Sequence, residues 1–113
     1  MQRTCQRILM LCGLLIVSQT YATEYGAERH VKKGVPCTSC HGISQEIAYP
    51  GIDQCKTCHN PDELAKKTAL VKPKNPHTSP HYGTTLDCSL CHVQHAQTED
   101  YCAQCHNFGF KVP

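Results

Sequence analysis

Tryptophan is absent from this 113-residue chain, and phenylalanine occurs only twice. Both methionines, Met1 and Met10, lie among the first ten residues. The longest apolar or small run, Ile8 to Val17, has ten residues, against the roughly 20 that a membrane-spanning helix needs. No segment alternates apolar and polar residues for long enough to make a strand, and no solenoid period recurs. No basic stripe, nucleic-acid motif or glycine-rich dinucleotide motif is present. These absences exclude a self-sufficient hydrophobic core, a sheet-based fold, a stable membrane span and a nucleic-acid partner. A domain this small and this poor in large apolar side chains needs a staple.

The first 22 residues are predicted to be a cleaved signal peptide. Arg3 and Arg7 give a positive start, the apolar run follows, and Thr20-Tyr21-Ala22 offers small residues for cleavage after Ala22. Leu11 before Cys12 is not the small residue a lipoprotein site would use, so Cys5 and Cys12 are expected to leave with the signal. Without Arg3 and Arg7, residues 23–113 carry nine basic and nine acidic side chains. The expected location is the periplasm.

Residues 23–113 hold eight cysteines, and all eight fall in copies of one pattern. Cys37-Thr-Ser-Cys40-His41, Cys55-Lys-Thr-Cys58-His59, Cys88-Ser-Leu-Cys91-His92 and Cys102-Ala-Gln-Cys105-His106 all read C-x-x-C-H, the signature of c-type haem attachment. In that chemistry the two cysteines form thioethers to the haem and the histidine ligates its iron. Zinc and disulfides are the competing staples. Cys37-x-x-Cys40 and Cys55-x-x-Cys58 are spaced almost as in a zinc ribbon, and an exported chain can form disulfides. The residue after each second cysteine decides between them. With eight histidines in 113 residues, chance would place one at all four positions about three times in 100,000. Zinc and disulfides do not require that histidine, and haem does. Export agrees, because haem is attached to c-type cytochromes outside the cytoplasm.

Four further histidines, His30, His77, His81 and His95, lie outside the motifs, one for each expected haem. No methionine remains after residue 22, which excludes His/Met ligation. The economical expectation is bis-histidine ligation at all four irons, with low potentials and no open coordination site for a substrate. His95 cannot share an iron with His92, because three residues of chain cannot wrap round a macrocycle, so it should serve a neighbouring haem. The order of the other pairings stays open. A 91-residue globule has a radius of gyration of about 12 Å, so four macrocycles within it must lie nearly edge to edge.

Locally, each C-x-x-C-H is expected to form about one helical turn, with Asp53, Asp87 and Thr98-Glu99-Asp100 as start signals. Asn60, Pro61, Asp62 and Glu63 open a predicted helix from Pro61 to Leu70. Lys72 to Pro80, with Pro73, Pro76 and Pro80, cannot be a regular helix and is read as a loop presenting His77 and His81. Between Thr23 and Pro36 only His30-Val31 looks inward-facing. The fold class that results is mostly coil with short α-helices, a small multihaem cytochrome c fold organised around four covalently bound haems.

His30-Val31, Cys37-Thr-Ser-Cys40-His41, Cys88-Ser-Leu-Cys91-His92-Val-Gln-His95 and Tyr101-Cys102-Ala-Gln-Cys105-His106-Asn-Phe-Gly-Phe resemble the tetrahaem cytochrome domain of periplasmic flavocytochrome c fumarate reductases. Free-standing small tetrahaem cytochromes c are similar too. The tetrahaem cytochromes of sulfate reducers commonly carry a C-x4-C-H variant absent here. The resemblance, covering about His30 to Pro113, implies that His30, His77, His81 and His95 are the distal ligands. It further implies electron transfer to a flavin that reduces fumarate or a related unsaturated acid. The flavocytochromes continue into a flavin domain after a segment like Phe108-Gly109-Phe110, whereas this sequence ends at Pro113. The flavin is therefore expected on a separate flavoprotein reductase subunit, with a membrane quinol-oxidising cytochrome as donor. The rival expectations are a free shuttle between a quinol oxidase and several reductases, and an enzyme acting at a haem.

Overall fold

The computed structural model of the chain describes residues 24–44, 46 and 48–113. The expected signal segment, residues 1–22, lies outside them. The described residues form four short helices, α1 (Gly26–Lys32), α2 (Thr38–His41), α3 (Ile52–Lys56) and α4 (Pro61–Lys67), and two 3-10 turns, Cys88–Leu90 and Tyr101–Gln104. Among the described residues the one extended pairing is an isolated bridge between Ser79 and Gly83. The rest is coil, as the sequence predicts for a small multihaem cytochrome fold. None of the described helices is long and apolar enough to cross a membrane.

Short polar side chains start these elements. The Asn60 side-chain oxygen accepts from the backbone N–H groups of Asp62 (2.9 Å) and Glu63 (3.1 Å), satisfying two donors that α4 leaves unpaired. Pro61 occupies the first helical position, where no N–H is needed. Asp87 accepts from Ser89 N–H at 2.9 Å and Asp100 from Cys102 N–H at 3.1 Å, so an aspartate opens each 3-10 turn. Asp53 instead lies in the first turn of α3, paired with Lys56 at 3.3 Å, and Gly51 takes the cap position.

Two local elements go beyond the sequence reading. The helix from Pro61 stops at Lys67 rather than Leu70. Thr68, at its C-cap, turns its hydroxyl to Leu64 O, Asn75 and His77, and the next bonds are the tighter i to i+3 kind. The segment before Pro36, polar and mixed in sequence, contains α1. Val31, 55% exposed, lines a cavity beside Cys37 and His95. The helix is held from outside. Ala27 N–H donates to Gln94 O at 2.8 Å, and Gly26 lies so close to the Gln94 side chain that a Cβ would sit 2.8 Å from its Cδ.

No apolar side chain among the described residues is buried, and the single buried residue is Gly26. Ile43 is 93% exposed and Leu70 88%. The hydrophobic effect is the main favourable term in folding, and here the polypeptide alone gives it almost nothing to act on. Something other than side chains must fill the centre of the fold.

Candidate functional site

The attachment motifs lie side by side in chain order. α2 packs on α3, with Gln54 Nε2 donating to Ser39 O, and α3 packs on the 3-10 turn Cys88–Leu90. The thiols of Cys55 and Cys88 face each other. Burial, then the charge and hydrogen bond of Cys88, push the Cys55 thiol up to about 11. Glu99 N–H donates to Cys91 O at 3.0 Å and brings the fourth motif against the third. Burial, with the charges of Asp100 and Cys91 adding to it, likewise raises the Cys102 thiol. The described cysteines carry no disulfide. Among the described residues no three His, Cys, Asp or Glu side chains converge as a zinc site would require.

The histidines sort into four pairs, each joining one motif histidine to one from elsewhere. Ring centroids of His41 and His95 are 5.9 Å apart, those of His77 and His92 6.2 Å, those of His81 and His106 6.2 Å, and those of His30 and His59 6.1 Å. The first three pairs are near parallel, at 26°, 4° and 29°, whereas His30 and His59 are perpendicular at 89°. His92 and His95, three residues apart, thus face different partners. The proline-rich loop brings His77 to His92. Its next turn, closed by Ser79 and Gly83 with Gly83 at a positive φ of 57°, brings His81 to His106.

Such rings are too far apart to stack, but they are well spaced for a shared metal ion. An imidazole nitrogen binds a transition metal at about 2.0 Å and lies about 1.1 Å from its ring centre, so two rings on opposite sides of one ion have centroids about 6.2 Å apart. Several Nδ1 atoms are already engaged: His30 with Gly26 O (2.7 Å), His41 with Ala48 O (2.9 Å) and His77 with Thr68 Oγ1 (3.0 Å). Each leaves Nε2 free to ligate. Burial lowers the pKa of His77, and burial, then the charges of His77 and Arg29, lower that of His92. Both shifts favour the neutral imidazole, the form that binds a metal. The residues fit haem.

The Cytochrome c3 family pattern matches residues 29–107, which takes in all four motifs. The chain belongs to the cytochrome c3 family. It is therefore an electron-transfer protein that carries haem c. Among curated proteins this cytochrome is similar to the acrylate reductase cytochrome subunit of Shewanella woodyi, with 36% identity over 107 residues covering 90% of this chain and 88% of that one. It is also similar to the cytochrome c-type protein Cgr1 of Eggerthella lenta, with 41% identity over 114 aligned positions. That match covers 72% of this cytochrome and 51% of Cgr1, so the chain spans about half of that relative's length. No solved structure matches it.

The cytochrome's supporting residues are less visible in sequence than its cysteines and histidines. A cavity of about 400 Å³ beside α1 is lined by Ala27, Glu28, Val31, Lys32, Cys37 and His95, placing α1 at the edge of the first motif. Phe108 stacks on His106, with centroids 4.6 Å apart and planes 6° from parallel. Asp100 Oδ2 accepts from Phe110 N–H at 3.0 Å and ties down the segment carrying Phe108. Of Thr68, Asn75 and Gln94, only Asn75 carries even a weak sequence signal, by standing before Pro76 in a turn. Nothing marks Thr68 or Gln94 before the chain is folded.

Proposed function

We propose that this cytochrome is a periplasmic tetrahaem protein in which every iron is held between two histidines, and that it delivers electrons to a flavoprotein reductase on a separate polypeptide. The observation that carries the reading is the set of four histidine pairs at 5.9–6.2 Å, each joining a motif histidine to one outside the motifs. In this reading Cys37 and Cys40 would attach the first haem, and His41 and His95 would hold its iron. Cys55 and Cys58 attach the second, with His59 and His30. Cys88 and Cys91 attach the third, with His92 and His77, and Cys102 and Cys105 the fourth, with His106 and His81.

Haem, when bound, supplies reversible one-electron chemistry. The chain's own residues position and insulate it. The contacts of α2 with α3, of α3 with the third motif, and of the third motif with the fourth set the attachment sites in one continuous row. With two histidines for each iron, no coordination position would be left for a substrate, which favours conduction over catalysis at a haem. Two imidazoles in place of an axial methionine favour low potentials, suited to driving a reductase.

Similarity to the acrylate reductase cytochrome subunit supports a reductase partner whose terminal substrate is an unsaturated carboxylate, with the chemistry at a flavin on that partner. A membrane quinol-oxidising cytochrome is the proposed donor. Residues 1–22 direct export and are removed, leaving residues 23–113 as the tetrahaem domain. The test is purification of the exported protein with whatever accompanies it. The reading expects an intact mass beginning at Thr23 with four added haems, and a flavoprotein that stays bound through gel filtration. A monomeric cytochrome that exchanges electrons with several reductases and is retained by none would replace the subunit reading with that of a shuttle. Fewer than four haems would overturn the ligand scheme.

A further inference from the structure

Of the three histidines whose Nδ1 has a hydrogen-bond partner, His30 and His41 use backbone oxygens. His77 uses a side chain. Its Nδ1 is 3.0 Å from Thr68 Oγ1, which is also 2.7 Å from Asn75 Oδ1 and 2.8 Å from Leu64 O. Asn75 is fixed in turn. Its Nδ2 donates to Ala65 O at 2.7 Å, and its Oδ1 accepts from His77 N–H at 3.0 Å. A neutral imidazole that offers Nε2 to an iron carries its proton on Nδ1. Thr68 must then accept that proton's hydrogen bond and donate its own hydrogen to Asn75 Oδ1 or Leu64 O. With this polarity every donor in the chain from His77 to Thr68 to Asn75 to α4 finds an acceptor.

We propose that Thr68 is a positioning residue for the iron ligand His77, holding its imidazole in the Nδ1–H tautomer and its ring parallel to that of His92. The inference rests on the ligand assignment proposed above. It accounts for the 4° angle between the two rings, the smallest of the four histidine pairs. It also accounts for the early end of α4, since the hydroxyl at its C-cap is turned to the loop. A hydrogen bond accepted from Nδ1–H makes the imidazole a stronger donor to iron and favours the ferric state. Because the partner is a side chain, the third haem is the one of these whose potential a single substitution can tune.

The experiment compares Thr68→Val and Thr68→Ser in the holo-cytochrome by potentiometric titration and low-temperature EPR, with His77→Ala alongside. Thr68→Val should lower the ferric preference of one haem about tenfold, the lower end of the usual cost of losing an outer-shell partner, which is about 59 mV upward for a one-electron couple. The EPR signal of that haem should change with its ring angle, the other three potentials should stay put, and Thr68→Ser should match the wild type. Unchanged potentials, a uniform shift of all four, or a serine variant that behaves like valine would each overturn the role of the hydroxyl. If His77→Ala leaves all four haems low-spin, the ligand assignment itself fails. If it opens one haem while Thr68→Val changes nothing, only the positioning role fails.

Discussion

Replacing His95 with alanine separates the pairing scheme from every alternative, because His95 lies three residues from His92 and yet faces His41 across 5.9 Å. Loss of its imidazole should open one iron of four, the one attached at Cys37 and Cys40. Carbon monoxide should therefore bind the reduced variant at one equivalent per chain, with three quarters of the low-spin absorbance kept. The stability cost follows from topology. An iron held by both His41 and His95 closes a stretch of 55 residues, and the chain-entropy model values such a cross-link at about 4 kcal/mol. That is an upper bound, since the other haems already constrain part of the loop. For a domain of this size it corresponds to a thermal midpoint lower by up to about 15–30 °C. Visible spectra, a carbon monoxide titration and a melting curve suffice. Four unchanged low-spin haems would refute the pairing, and so would two opened haems, since His92 would then depend on His95.

Three other outcomes are expected. Parallel imidazoles split the iron's two π-type d orbitals and perpendicular ones leave them nearly degenerate, so the oxidised protein should show one strongly anisotropic low-spin EPR signal among three rhombic ones. His30→Ala should abolish that signal, because His30 and His59 are the pair at 89°. Asn60→Ala removes the acceptor of two N–H groups at the start of α4 and should cost about 1 kcal/mol, seen as a midpoint lower by about 4–8 °C with all four haems intact. The hydrogen bonds from Ser89 hold the Asp87 carboxyl below its ordinary value of 3.8. Its contribution is thus present in full above pH 3.8 and is lost as the pH falls through the lowered native value. Asp87→Asn should flatten the acid limb of the stability curve there, and an unchanged limb would show that the cap adds nothing.

The cysteines and histidines were legible because their chemistry is local: five consecutive residues suffice to recognise an attachment site. Asn60, Asp87 and Asp100 were legible for the same reason, as caps act within one turn. The partner of each distal histidine was not. His30 and His59 are 29 residues apart and His41 and His95 are 54, and only the folded path of the loops decides which rings meet. Helix α1 escaped notice because nothing in Gly26–Lys32 follows an apolar period. Tyr25, at its N-cap, makes no capping bond, and Gln94 supplies the support from far along the chain. The end of α4 depended on Thr68 preferring partners in a loop seven to nine residues on.

The absence of any buried apolar side chain among the described residues bears on how the molecule is made. In the proposed tetrahaem protein, a newly exported chain with no interior of its own would have little to collapse around, so all eight cysteines would stay within reach of the attachment machinery. Each attachment then adds a flat apolar surface for the next segment to settle on. Maturation and folding become a single ordered process, with the chemistry coming first. A chain with an ordinary core would hide its thiols before they could react. The order of attachment, followed by mass spectrometry of partly loaded chains, should therefore be the order in which protease resistance appears.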